Sequence, residues 1–215
     1  MTQTRSTLGD EDRNEIVARY MARFEQFGVD IRTLNAGRGN KLAIQYEVHA
    51  SIGDLEGKTV LDIGCGLAGF YEYLRANGIS VTYIGYDIVP SFIEINRTRF
   101  PEATFELRDI SRDGIDHVAD YAVMCQVFNH RYRGTSNDGV VRDAIRKSFA
   151  AVKSGISLDL RTNHVNFRDP EMHHFSPEEL FTFAKSLTSF VSLRHDYLPY
   201  DFTLALYKQG TMRWE

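Results

Sequence analysis

The run Val60-Leu61-Asp62-Ile63-Gly64-Cys65-Gly66-Leu67-Ala68-Gly69-Phe70 constrains this chain more than any other part of it. Its apolar start reads as a buried strand over Thr59 to Ile63. The strand enters a turn with glycines in a GxGxxG spacing, and a helix opens at about Leu67. Such glycines permit a tight turn and let a ligand approach the backbone at the positive end of a helix. The triplet alone fits several nucleotide-binding turns. Asp62, two residues before the first glycine, narrows the choice. A carboxylate there would repel a pyrophosphate held by the turn, and it suits a ligand that carries a positive amino group and no phosphate.

Two further acids follow in order. The strand-like Val81 to Tyr86 ends at Asp87-Ile88, a spacing from the glycines that suits a carboxylate over a ribose. Asp109-Ile110 follows the strand-like Ala103 to Arg108, and Asp120 to Gln126 reads as a fourth strand with Cys125 at its end. Over residues 59 to 127 this order resembles the class I S-adenosylmethionine (SAM)-dependent methyltransferases. Nicotinamide enzymes have no use for the third acid. The resemblance implies a three-layer α/β/α Rossmann-like fold, with a seven-stranded, mostly parallel sheet in the order 3-2-1-4-5-7-6 and an N-terminal helical cap. It also implies SAM as cofactor, Asp109 facing the adenine amino group and the Ile110 amide meeting a ring nitrogen. The expected cofactor-binding set is Asp62, Gly64, Cys65, Gly66, Asp87, Ile88, Asp109, Ile110 and Cys125, with Arg38 and Tyr46 of the cap holding the methionine carboxylate. Each has a plainer reading. Asp87 could be a solvated strand end that caps the next helix, and Asp62 could act through water or only order the turn. Asp113 and Asp116 share the loop of Asp109, and Arg38, flanked by glycines, could simply be solvated.

Elements on either side fit one domain of 215 residues. The reading divides it into a cap over 1–58, a SAM-binding core over 59–208 and a tail over 209–215. In the cap, Ile16, Tyr20, Phe24 and Phe27 share one helical face that Gly28 stops, and a second helix runs from about Asn40 to Ile52. In the core, helices are expected from about Ala68 to Asn77, from Pro90, and from Asn137 to Val152, with a fifth strand over Ile156 to Leu160. Ser176-Pro177-Glu178-Glu179 is the clearest helix start, flanked by Phe175 and Leu180 as a staple. Strands Phe190 to Arg194 and Phe202 to Tyr207 close the chain, separated by Tyr197-Leu198-Pro199-Tyr200.

Composition excludes several alternatives. A net charge of −4 argues against a nucleic-acid groove, and no apolar run is long enough for a membrane helix. The polar start, Met1 to Asp10, lacks the apolar core of a signal peptide, and two cysteines make no disulfide framework. A cytoplasmic protein is expected.

The chemistry must be read from the loops. Methyl transfer from a sulfonium is an in-line displacement governed by positioning, and a base is needed only where the acceptor loses a proton. Cys125 to Tyr132 leaves strand 4 where the reactive methyl would lie, so Asn129, His130 and Tyr132 are the first catalytic candidates. His164, in the loop Thr162 to Phe167, is the second, and His173-His174 the third. An isolated histidine is more often a surface residue than a base. No carboxylate or cysteine is spaced to complete a ligand set with the histidine pair, so no metal is expected. Tyr20, Phe24, Phe128, Tyr132 and Tyr197 could wall an aromatic pocket for the sulfonium, although core packing is favoured for Phe24.

Little is present beyond the minimal fold, which points to a small-molecule acceptor, or SAM alone, as the partner; a homodimer is compatible with the sequence. The limiting case has SAM alone as substrate: its amino group attacks its own γ-carbon, giving azetidine-2-carboxylate and methylthioadenosine. Asn35-Ala36-Gly37-Arg38, Gln45 and Asp196 to Phe202 resemble a bacterial subgroup whose members mostly lack an assigned acceptor. Methyl transfer is the leading reading, SAM cyclisation the second and a non-enzymatic SAM-binding module the third.

Overall fold

Near-continuous apolar strands that alternate with helices bury both faces only in a sheet covered on each side. The computed structural model, which describes residues 7–35 and 40–211, has that architecture. Strands β1 (Thr59–Ile63), β2 (Thr82–Asp87), β3 (Thr104–Leu107), β4 (Ala119–Met124) and β5 (Val152–Arg161) are parallel. β6 (Phe190–Leu198) and β7 (Asp201–Tyr207) return antiparallel, and the seven strands lie in the order 3-2-1-4-5-7-6. Helices α4 (Gly69–Ala76), α5 (Pro90–Arg99), α6 (Asn137–Ala151) and α7 (Pro177–Lys185) alternate with the strands, and α1 (Asp10–Phe27), α2 (Ile31–Leu34) and α3 (Lys41–Ala50) precede them. Val60 and Leu61 enter different apolar clusters, as successive residues of a strand must. Around Leu61 pack Met124, Ile156, Leu158 and Phe202; around Val60 pack Phe70, Leu74 and Tyr83.

Local chemistry sets several boundaries. Gly28, at φ +61°, ends α1 and donates its N–H to the Phe24 carbonyl. Ser176 Oγ accepts from Glu179 N at 3.2 Å, with Pro177 in the first turn of α7 and Phe175 and Leu180 both buried behind it. Three features differ from the pattern read in the sequence. β5 begins at Val152, directly out of α6, because Gly155 is a point of close approach and not a break: a Cβ there would lie 2.7 Å from the Leu206 carbonyl of β7. β6 continues to Leu198, which pairs with Asp201, so Pro199 and Tyr200 alone make the turn after an irregularity between Arg194 and Leu198. The short helix α2, capped by Asp30 accepting from Arg32 N, is also additional.

Helix α1 is fastened to the loop after β4. The buried Asp12 carboxylate accepts from Arg133 N at 2.7 Å and from Gly134 N at 3.2 Å, and Gly9 N donates to Thr135 Oγ1 at 2.9 Å. Replacing Asp12 by Ala leaves these amides without their acceptor, a loss of about 1–3 kcal/mol. The expected result is faster hydrogen exchange across α1 while the sheet amides keep their protection. Unchanged exchange in α1 would show that apolar packing alone holds the helix.

Candidate functional site

The glycine turn hangs from the neighbouring strand. Gly64 N and Cys65 N both donate to the Tyr86 carbonyl, at 2.7 and 2.9 Å. Gly64 and Gly66 lie at φ +74° and +52°, in the left-handed region. Side chains press on the turn from three directions. A Cβ at Gly64 would fall 2.6 Å from Val127 Cγ2, one at Gly66 would fall 3.0 Å from Leu34 Cδ2, and one at Gly69 would collide with the Tyr46 hydroxyl. The turn thus forms the floor of a cleft at the carboxyl ends of β1, β2 and β4, roofed by α1, α2 and α3.

Three buried carboxylates mark the length of this cleft. Asp62 accepts from Tyr83 Oη at 2.5 Å through one oxygen, and its other oxygen has no partner among the described residues. Burial pushes its carboxyl up to about 7, against the Tyr83 hydrogen bond and the neighbouring His49. Asp87 accepts from Gly66 N at 2.8 Å and from Val89 N at 2.9 Å, and burial raises it to about 6 despite these bonds. It caps the entry to α5 and braces the glycine turn, and it is buried where the plainer reading had it solvated. Asp109 accepts from Ser111 N and Oγ at 2.9 and 2.6 Å, and its second oxygen lies 3.5 Å from Arg13 Nε of α1 and from Arg112 Nε. Leu8, Ile16, Ile110, Phe128 and Tyr132 line the cleft together with Asp109. Gly64, Cys65, Gly66, Ile88, Tyr46, Cys125 and Gln126 line it as well.

Other candidates lie elsewhere. Asn129 Oδ1 accepts from Arg161 N at 2.8 Å and its carbonyl from His173 N at 2.9 Å, so it ties the β4 exit to the β5 exit and does not line the cleft. His130 Nδ1 accepts from Arg19 Nη1 at 2.9 Å, and its Nε2 is 3.5 Å from the hydroxyl of Tyr20, which does line the cleft. Burial and the Arg19 charge lower the His130 pKa. Tyr132 is on the cleft wall, where burial raises its hydroxyl pKa. His164 is exposed and held at 2.6 Å by Glu178. His173 pairs with Asp138 at 3.3 Å, whereas both ring nitrogens of the buried His174 lack partners. Phe24 packs edge-on against Phe92, and Tyr197 Oη shares a 2.7 Å hydrogen bond with Thr203; neither lines the cleft. Arg38 lies outside the described residues.

One polar assembly beside the cleft escaped sequence reading. Asp159 of β5, fully buried, accepts from Gln126 N at 2.6 Å, Gln126 Nε2 at 2.5 Å and Gln45 Nε2 at 2.8 Å. His49 Nδ1 is 2.8 Å from Ser157 Oγ, and its Nε2 is 3.4 Å from Asp159. His49, Cys125 and Asp159 bring ligand-type atoms within 4.8 Å of one another. Three donated N–H bonds already occupy the Asp159 oxygens, so hydrogen bonding accounts for the grouping without an ion. The sequence signals were an acid inside an apolar strand, and Gln45 with His49 four residues apart on one helical face.

Comparison with known proteins places this geometry among relatives. A family model described as "Methyltransferase domain" matches residues 61–155. A Mycobacterium tuberculosis (strain ATCC 25618 / H37Rv) protein named "Putative methyltransferase Rv1506c" is 30% identical over 156 residues, covering 70% of this chain and 93% of that protein. Among solved structures, the DhpI-SAM-HEP complex superposes with a TM-score of 0.65 at 15% identity, over 93% of this chain and 99% of that one. Magnesium protoporphyrin IX methyltransferase from Synechocystis PCC 6803 with bound SAM gives 0.62 at 14% identity, over 96% and 100%.

The raised acids make the unliganded protein pH-sensitive. An acid whose folded-state pKa exceeds its unfolded value contributes stability that is complete below the unfolded value and lost as pH rises through the folded one. For Asp62 and Asp87 that window runs from 3.8 up to about 7 and about 6 respectively. Thermal denaturation of the unliganded protein should therefore give a midpoint that falls from about pH 4 to about pH 7 and levels off above it. Asp62→Asn should raise the midpoint at pH 8 and flatten the fall. A variant midpoint with the wild-type pH profile would mean that Asp62 is not the group responsible.

Proposed function

Because this chain belongs to the SAM-dependent methyltransferases, with SAM as its cofactor, we propose that it transfers the SAM methyl group to a small-molecule acceptor. One observation carries the choice of acceptor. The chain's own N-terminal segment roofs the cleft, with Leu8, Ile16, Tyr20, Leu34, Leu42 and Tyr46 all on its wall. Such a roof leaves a concave, mostly apolar chamber suited to small ligands. The acceptor named for the similar cyanobacterial enzyme, magnesium protoporphyrin IX, is also small. No helix among the described residues is long and apolar enough to cross a membrane. The proposed setting is cytoplasmic.

In this reading Asp87 accepts hydrogen bonds from the ribose hydroxyls. Asp109 and the Ile110 amide meet the adenine between Leu8 and Phe128, and Asp62, Tyr46 and Cys125 surround the methionine end. The acceptor's lone pair attacks the methyl carbon as the carbon–sulfur bond breaks, and the electron pair stays on sulfur in S-adenosylhomocysteine (SAH). No histidine lines the cleft among the described residues, and His130 is committed to Arg19. The chain's contribution is then to align donor and acceptor and to exclude water, the effect that governs such displacements.

Asp87→Ala removes a charge-assisted contact of about 1.5–3 kcal/mol, so calorimetry should show SAM binding weakened roughly tenfold or more. An unchanged affinity would move the ribose contact to another residue. Product analysis by mass spectrometry tests the reaction itself. SAH should accumulate only when an acceptor from a panel of small nucleophiles is added. Methylthioadenosine formed from SAM alone would replace this reading with intramolecular cyclisation, and SAM left intact with every acceptor would favour a binding module.

A further inference from the structure

We propose that Asp159 is a specificity-determining residue, a buried carboxylate behind Cys125 and Gln126 whose charge makes the cleft prefer the sulfonium of SAM to the neutral sulfur of SAH. The inference rests on SAM occupying this cleft. Asp159 is fully buried, yet no lysine or arginine reaches it among the described residues. Lys41 pairs with Asp201 at 2.9 Å. All three hydrogen bonds to Asp159 come from neutral amides, and the buried His49 ring, with Nδ1 at Ser157, stands 3.4 Å from it through Nε2, so no permanent cation among the described residues compensates the carboxylate. Burying such a charge is costly unless a counter-charge arrives.

The geometry puts the missing counter-charge in the cleft. Met124 of β4 pairs with Leu158 of β5, so Cys125, just past the end of β4, and Asp159, still within β5, follow side by side. Cys125 and Gln126 form the cleft wall directly in front of the acid. Gln126 is held at φ +60°, a conformation unusual for a residue with a side chain, by the two bonds it donates to Asp159. Asp62 lines the same cleft with an unpartnered oxygen. The Cys125 thiol reports the resulting field: burial raises its pKa first, and Asp159 and Asp62 raise it further, with Lys41 opposing. A negative potential in a water-poor cleft acts strongly on nearby charge.

Methyl transfer removes one positive charge from the cofactor and leaves its size almost unchanged. A negative field at the sulfur therefore acts on the feature by which substrate and product differ, and it favours exchange of SAH for fresh SAM. A carboxylate that merely tethered α3 to the strand ends through Gln45 would support both nucleosides equally.

Titration calorimetry with SAM and with SAH on wild-type, Asp159→Asn, Gln45→Lys and Asp159→Glu separates the two roles. Asp159→Asn keeps the side-chain shape, and Gln45→Lys neutralises the acid from the side away from the cleft. Each should raise the Kd for SAM about tenfold and the Kd for SAH less than about twofold, while Asp159→Glu should keep the wild-type ratio. Equal losses for both ligands, or no loss for either, would overturn the proposal and leave Asp159 a scaffold residue. Should Asp159→Asn fail to fold, Gln45→Lys, which retains the carboxylate, decides between the two roles. Wild-type protein that bound neither nucleoside would instead remove the cofactor reading on which the proposal stands.

Discussion

The Asp87 carboxylate is the contact on which the site depends. One oxygen receives the Gly66 amide and the other the Val89 amide, so a single side chain fixes the glycine turn and the entry to α5 relative to β2. The Tyr86 carbonyl, one residue earlier, receives Gly64 N and Cys65 N. Two consecutive residues of β2 therefore hold the whole turn, whose left-handed glycines would otherwise cost conformational entropy with no return. The amides that Asp87 and Tyr86 engage leave the remaining surface of the turn free for a ligand.

That arrangement has an electrostatic consequence. Asp62, Asp87, Asp109 and, behind the wall, Asp159 are all buried around one cleft. Burial disfavours the ionised forms of Asp62 and Asp87, and among the described residues only Asp109 of the four has arginines within 3.5 Å. The unliganded site thus stores unfavourable charge that a cationic cofactor relieves. SAM, with a sulfonium and an ammonium, supplies two positive centres where a nicotinamide dinucleotide would bring a pyrophosphate.

What was legible followed from local rules. Thr59–Ile63 appears with its expected bounds because apolar residues run unbroken into a glycine turn, and Ser176 caps α7 because serine, proline and glutamate occur in the order a helix start requires. The glycines, Asp62, Asp87 and Asp109 lie on one cleft because each ends a strand of the same parallel sheet. Side-chain direction in the loops was not legible. Asn129 and His130 leave β4 at the expected place, yet a backbone amide of β5 takes one and an arginine of α1 the other. Those partners are 32 and 111 residues away, beyond the reach of any periodicity. The start of β5 at Val152, ahead of Ile156, was not legible, because Gly155 carries no side chain to show that two strands touch there. The Asp159 assembly joins residues up to 114 positions apart, so only the folded sheet brings it together.

The roof and the floor of the cleft are mechanically linked. Leu34 of α2 rests on Gly66, the Tyr46 hydroxyl of α3 on Gly69, and Arg13 of α1 approaches Asp109 at 3.5 Å. A cofactor that slides along the turn must pass beneath all three. α1 is held by Asp12 at the 133–134 amides, by Gly9 at Thr135 and by Ile16, Tyr20 and Phe24 packed on apolar neighbours, and α3 is anchored in the interior by Gln45, Val48 and His49, so the roof is fixed over both ends of the cleft.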